Sequence, residues 1–227
     1  MDTDEMLDTP TLAAQLRQPH GDAAPAVADS MNRSNAGLNH AAIDALAVRP
    51  EEFVLEIGPG NAAFAPALLE APGSRYLGIE LSLEMVHAGN ARLIAAGLAD
   101  RAALQLGDAN ALAQDDATVD AVLAVNTSYF WPVLLPVLGE FARVLRPGGR
   151  LCLAFGDPIF MRTLPFTAHG FHLYSRDEFQ HALHASGRFT RPSWHSHQET
   201  GTSNDGRQLR KHFHILLAQR RSAPTAG

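Results

Sequence analysis

Between Phe53 and Phe155 the chain repeats one pattern: a short apolar run, a glycine-rich break, then a stretch with helical spacing. Apolar runs at Phe53–Ile57, Tyr76–Glu80, Ala102–Leu106, Asp120–Val125 and Arg150–Phe155 read as five strands. Gly58-Pro59-Gly60 closes the first, and Gly107-Asp108 closes the third. After the first strand, Phe64, Leu68 and Leu69 recur at helical spacing until Pro72-Gly73. A second helix is expected from about Ser82 to Ala96, with Met85, Ala88 and Leu93 inward. A third is expected from Val133 to Leu145, stopped by Pro147-Gly148-Gly149. Strands that alternate with helices pair in parallel, and right-handed crossovers put helices on both faces of the sheet. The expected class is α/β with a doubly wound sheet.

The flanks read differently. Thr11–Arg17 suits a short helix ended by Pro19 and Gly21. Met31–Ala47 suits a longer one, with Leu38, Ile43 and Leu46 along one side. Near the other end, Arg176–Ala185 reads as a helix with Phe179 and Leu183 four apart. Phe189–Ser196 and Lys211–Gln219 read as strands, joined by a polar loop containing Gly201, Asn204 and Gly206. Two strands joined without a helix are expected to be antiparallel.

Composition narrows the class further. Hydrophobic residues are 46% and charged residues 19% of 227, which excludes a wholly disordered chain. Apolar runs such as Ala121–Val125 and Ile215–Ala218 are far below the roughly 20 residues needed to span a bilayer, so no membrane association is expected. Asp2, Asp4, Glu5 and Asp8 stand where a secretory signal would carry basic residues. The single cysteine, Cys152, makes neither an internal disulfide nor a CxxC metal site. The expectation is a cytoplasmic protein.

Charge is uneven. Before Arg143 there are 6 basic and 19 acidic residues, a net of −13; from Arg143 onward 12 basic and 5 acidic give +7. A basic surface for an anion is one reading, and chance scatter of surface charge is the blander and preferred one. Lys211 is the only lysine, which points to an arginine bias across the whole chain.

Gly58-x-Gly60-x-x-Ala63 follows a strand and opens a helix, and Glu80 lies 20 residues after Gly60. Formally this fits a dinucleotide fingerprint. Glycines let backbone approach a ligand, and an acid at the next strand end accepts from ribose hydroxyls. Three further features separate the readings. Glu56 sits inside the strand, where a pyrophosphate gains nothing from a carboxylate but a cation does. Asp108 ends the third strand, within reach of an exocyclic adenine amine. Asn126-Thr127-Ser128-Tyr129-Phe130-Trp131 follows the fourth strand and sets an amide beside three aromatics. Strand-end acids with an aromatic cluster suit an adenosine ligand with a positive centre.

These segments resemble class I S-adenosylmethionine (SAM)-dependent methyltransferases of the bacterial small-molecule type. VLEIGPGNAAF (Val54–Phe64) is similar to the family's first motif, with Ala62 in place of its third glycine. YLGIELS (Tyr76–Ser82), LGDANAL (Leu106–Leu112) and EFARVLRPGGRLCLAF (Glu140–Phe155) are similar to the motifs that follow. QLRQPHG…MNRSNAGLN (Gln15–Asn39), NTSYFWP and LPFTAHGFHLYS (Leu164–Ser175) extend the likeness over about residues 12–219. The resemblance implies a seven-stranded sheet in the order 3-2-1-4-5-7-6 with strand 7 antiparallel. It divides the chain into a disordered terminus at 1–10, a helical lid over 11–49, a SAM-binding domain over 50–220 and a flexible tail at 221–227.

The resemblance also implies roles. SAM is the cofactor and a small molecule the methyl acceptor. Glu80 would bind the ribose, with Leu81 beside it, and Asp108 the adenine, with Ala109 beside it. Gly58, Gly60 and Asn61 would flank the methionine portion, Glu56 would favour its ammonium, and Asn126 would close the cofactor site. Methyl transfer needs no nucleophilic side chain, because positioning supplies most of the effect. A base is needed only where the acceptor must lose a proton first. Candidates are His169, His172 and Tyr129, and an acceptor wall is expected from Tyr129, Phe130, Trp131, Arg162 and His169.

Three other readings are carried. Asn126-x-x-Tyr129 is similar to the (Asp/Asn)-Pro-Pro-(Tyr/Phe) element of nucleic-acid amino-methyltransferases, but Thr127-Ser128 replaces Pro-Pro, so no nucleic-acid partner is expected. A non-catalytic SAM-binding module and a nicotinamide-dependent oxidoreductase are the others. His195-x-His197 and His212-x-His214 would each project to one face of a strand and could gather four imidazoles. Exposed strand histidines are the expectation, with no metal.

Overall fold

The computed structural model describes residues 7–202 and 208–222. Two helices precede the sheet, α1 (Thr9–Arg17) and α2 (Ala24–Leu46). Then follow β1 (Phe53–Ile57), α3 (Ala65–Leu68), β2 (Arg75–Glu80), α4 (Leu83–Ala95), β3 (Ala102–Leu106), β4 (Val119–Val125), α5 (Leu134–Val144) and β5 (Leu145–Gly156). The chain closes with α6 (Pro158–Met161), α7 (Arg176–Ser186), β6 (Ser193–Thr202) and β7 (Gln208–Gln219). The strands form one seven-stranded sheet in the order β3-β2-β1-β4-β5-β7-β6. β7 runs antiparallel to both β5 and β6, and the other pairs are parallel. The expected class, order and direction are all present.

Strand alternation divides the core into two layers. Leu55 and Ile57 of β1, Leu151 and Leu153 of β5, and Leu216 of β7 pack against Phe141 of α5 and Phe179 of α7. Val54, Tyr76, Leu123, Cys152 and Ile215 face the opposite way, against Leu38, Ile43 and Leu46 of α2, Leu68 of α3 and Leu93 of α4. A Leu or Phe side chain fully buried in this way contributes about 1.5–3 kcal/mol relative to exposure. Far from the strand tips, Arg150 donates to both oxygens of Glu52, at 2.8 and 2.6 Å, and to the Leu46 carbonyl. That bidentate pair fastens the residue before β1 to β5, and the Leu46 bond ties in the end of α2.

Several boundaries differ from the sequence reading, each for a local reason. α2 begins at Ala24 rather than Met31, because Pro25 stands in its first turn, where a missing N–H costs nothing. The helix expected after Gly60 shrinks to the single turn Ala65–Leu68, since residues 61–64 make a turn with Ala62 at φ +55°. Pro147-Gly148-Gly149 does not end α5 in a loop. Leu145 already pairs with Val119, and a register shift between Val119 and Ala121 absorbs the extra residues within β5. β6 starts at Ser193, after Pro192, and Phe189 makes only a bridge to Arg220. Gly201 belongs to β6, paired with Leu209, while Asn204 and Gly206 lie outside the described residues. The expectations for residues 1–6 and 223–227 also fall outside them.

Candidate functional site

A cleft of about 280 Å³ opens where β1, β2, β3 and β4 end. Parallel strands bring all their C-terminal ends to one rim, so residues far apart in sequence meet there. Glu56, Gly58, Gly60, Glu80, Leu81, Asp108, Ala109 and Asn126 line the cleft, together with Phe130 and Trp131. Asn61 is buried behind this lining, with its side chain accepting from Asn32 Nδ2 at 3.0 Å.

The loop after β1 is shaped by backbone demands. Gly58 has φ +67°, and a Cβ there would come within 2.3 Å of Thr127 Cγ2. Gly60 has φ +57° but faces open space, so its backbone is free to approach a ligand. Ala62, at the third glycine position of the resemblance, adopts φ +55°, which costs a non-glycine residue about 1 kcal/mol. Asn126 takes φ +57° at the tip of β4, a conformation its short polar side chain tolerates.

Glu80 is tied down on both oxygens. Gly60 N donates to Oε2 and Ser82 N to Oε1, each at 3.0 Å. Burial raises its pKa, and those amides oppose the shift. Glu56 is 4% exposed and faces the α2 side of the sheet. Its Oε2 accepts from the Tyr76 hydroxyl at 2.6 Å. Burial, with the nearby Glu80 charge adding, pushes Glu56 up to about 7, against the pull of the Tyr76 hydrogen bond. Gly78 makes this pair possible. A Cβ at Gly78 would stand 2.7 Å from Pro59 Cγ and 3.0 Å from the Tyr76 hydroxyl. Asp108 is exposed, with Oδ1 accepting from the backbone and side chain of Asn110, both at 2.8 Å.

The acids and the loop together decide what chemistry fits. Arg17 is the one basic residue among those lining the cleft. The Gly60 amide, which would cradle a phosphate in a dinucleotide site, is already committed to Glu80. A buried carboxylate held near neutrality gains most from a cation. The donor set therefore fits a ligand with a ribose diol and a positive group better than one with a pyrophosphate.

Sequence reasoning expected a helical lid over 11–49 but did not single out the residues it brings to the cleft. α2 presents Asn32, Asn35 and Asn39 to the cleft, and α1 adds Leu16 and Arg17. The signal was available, because asparagines three and four apart fall on one helix face. Gln18 Nε2 donates to the Leu81 carbonyl at 2.9 Å, and Ser82 Oγ donates to the Pro19 carbonyl at 2.5 Å, joining the end of α1 to the end of β2. Tyr76 was also missed, since only strand register shows that its ring runs toward Glu56.

Not every candidate is brought to the cleft. Tyr129 is buried and absent from the lining. Its hydroxyl accepts from Gly156 N at 2.5 Å and donates to Asn126 Oδ1 at 2.9 Å, and burial raises its pKa well above the usual phenol range. Such a group positions Asn126 and is a poor base. Arg162, His169 and His172 are exposed and do not line the cleft. The segment carrying them folds into short helical turns, and the His172 ring stacks on Tyr174. The four β-strand imidazoles do not gather. His197 pairs with Phe213 and His195 with Ile215, so the register puts them on the face opposite His212 and His214. His214, expected at the surface, is 5% exposed.

Residues 55–153 match the model of a methyltransferase domain family. The chain is 31% identical to 27-O-demethylrifamycin SV methyltransferase of Amycolatopsis mediterranei, over 66% of this chain and 62% of that one. It is 36% identical to a protein-L-isoaspartate O-methyltransferase of Methylorubrum populi, over 60% of each chain. The matched part thus spans about three fifths of these curated relatives. Geranyl diphosphate C-methyltransferase from Streptomyces coelicolor A3(2), solved with S-adenosyl-L-homocysteine, superposes with a TM-score of 0.67. It covers 89% of this chain and 87% of its own at 16% identity, a likeness of fold alone.

Proposed function

We propose, from the premise that the chain belongs to the class I SAM-dependent methyltransferases, that it methylates a small-molecule acceptor in the cleft at the strand tips. The observation that carries this reading is the buried Glu56–Tyr76 pair beside a glycine loop whose amide is held by Glu80. SAM supplies a methyl group on a positive sulfur, and its transfer is an in-line displacement.

In this reading Glu80 binds the ribose hydroxyls and Asp108 the adenine amine. Gly58, Gly60 and Asn61 flank the methionine portion, and Glu56 faces its ammonium. Asn126, held by Tyr129, closes the site near the reacting carbon. Phe130 and Trp131 form the acceptor wall, and among the described residues that line the cleft there is no histidine to serve as a base. Helices α1 and α2 act as a lid, and the asparagines of α2 exclude bulk water while satisfying polar groups of the ligands. The relative named for rifamycin methylation favours a small organic acceptor over a nucleic acid. Among the described residues no helix is long and apolar enough to cross a membrane. We place the protein in the cytoplasm, where Cys152 stays a buried thiol.

Methyl-labelled SAM incubated with the protein and a fractionated metabolite extract tests the reading. Label is expected in a small-molecule fraction, together with micromolar binding of S-adenosylhomocysteine. Binding without label transfer in any fraction would favour a non-catalytic SAM-binding module. Binding of NADH in place of both would overturn the cofactor assignment.

A further inference from the structure

We propose a second site: a transition-metal site made by Asp157, His212 and His214 at the β5–β7 end of the sheet. It shares no lining residue with the cleft described above.

Backbone geometry assembles the three ligands. His212 and His214 are two apart on β7, so both imidazoles project from one face. Gly156 pairs with Phe213, which brings the next residue, Asp157, level with His212. The Asp157 amide donates to the His212 carbonyl at 2.8 Å and fixes that level. Asp157 Oδ1 accepts from Ile159 N at 2.8 Å, which sets the carboxylate plane. Its Oδ2 then lies 2.9 Å from His214 Nε2 and 3.9 Å from His212 Nδ1. One donor atom from each residue stands within 4.8 Å of the other two.

Chemistry selects the ion. An ion bound at about 2.0–2.2 Å by nitrogen and oxygen needs donors about 3–3.5 Å apart, a value that the 2.9 and 3.9 Å separations from Asp157 Oδ2 bracket. Two imidazoles and one carboxylate suit zinc and its neighbours. Magnesium and calcium prefer all-oxygen sets. The ion would stay open on one side, because a cavity of about 420 Å³ lies over Asp157 and His214. Ser175, Gln180 and Arg176, the last resting 4.8 Å over the Trp194 ring, line that cavity and leave room for a water or another oxygen ligand.

One feature sets the strength. His214 Nδ1 is buried without a hydrogen-bond partner. A metal on Nε2 moves the ring proton to Nδ1, where no described residue accepts it. Metal-binding histidines are ordinarily braced at that nitrogen, and losing the brace weakens affinity about 10–100-fold. Micromolar affinity is therefore expected.

The test is titration of the metal-stripped full chain with Co²⁺, read by visible d–d absorption and by displacement with Zn²⁺. One equivalent of four-coordinate Co²⁺ at micromolar concentration is expected. His212→Ala, at a half-buried position, and Asp157→Asn, which keeps the cap on Ile159, should each weaken it about tenfold or more. Circular dichroism confirms that both variants fold, and His197→Ala, on the opposite face, should leave the spectrum unchanged. No absorption at millimolar Co²⁺, or a spectrum that survives both substitutions, would overturn the proposal.

Discussion

Lowering the pH from about 7.5 to about 6 should weaken S-adenosylhomocysteine binding about eightfold through Glu56. In the free protein burial holds this carboxyl up to about 7. A ligand ammonium beside it would return it toward its ordinary value of 4.5. Binding is then tightest where Glu56 is ionised, and it weakens as the free-state carboxyl takes up its proton. With the bound carboxyl ionised throughout, the ratio of the deprotonated fractions at the two pH values is about eight. The same shift has an opposite consequence for the free protein. As pH rises from about 4.5 to about 7 the unfolded chain ionises Glu56 while the folded chain resists, so stability present at low pH is lost. A shift from 4.5 to about 7 corresponds to about 3 kcal/mol. Glu56→Gln, which still accepts from Tyr76, should therefore flatten the pH profile of binding and raise the melting temperature at pH above about 7. Calorimetric titration of both proteins across that pH range is the assay. A flat profile in the parent protein, or an unchanged slope in Glu56→Gln, would refute the reasoning.

Two further substitutions test the site. Glu80→Ala removes the acceptor of Gly60 N and Ser82 N along with the proposed ribose partner. It should weaken S-adenosylhomocysteine binding at least about tenfold, given about 1.5–3 kcal/mol for a charged hydrogen bond, and unchanged calorimetric affinity would dismiss the assignment. Tyr129→Phe leaves the buried Gly156 N–H without an acceptor and frees Asn126. It should cost about 1–3 kcal/mol in urea unfolding and leave the pH profile of turnover unmoved, whereas loss of a limb of that profile would mark Tyr129 as a base.

Much of this protein was legible in its residue order. The alternation of apolar runs and helical spacing from Phe53 to Phe155 is a local property, and local periodicity selects a parallel sheet with helices on both faces. Gly58, Gly60, Glu80 and Asp108 were legible for a related reason. They sit at strand ends, and parallel strands send all those ends to one rim. Other features depended on register, which no single strand contains. The Tyr76 hydroxyl reaches Glu56 only because β2 pairs with β1 so that Gly78 lies between them. His195 and His197 part from His212 and His214 because a β6–β7 pairing puts His197 opposite Phe213; a shift of one residue would have reversed that. Tyr129, Arg162, His169 and His172 looked suited to the acceptor, but packing buried the first and left the others outside the cleft. Sequence thus determined which elements form and which of their ends carry acids, because those depend on neighbours along the chain. Tertiary structure alone decided which side chains meet, because that depends on strand pairing and on which face each residue turns toward its partner.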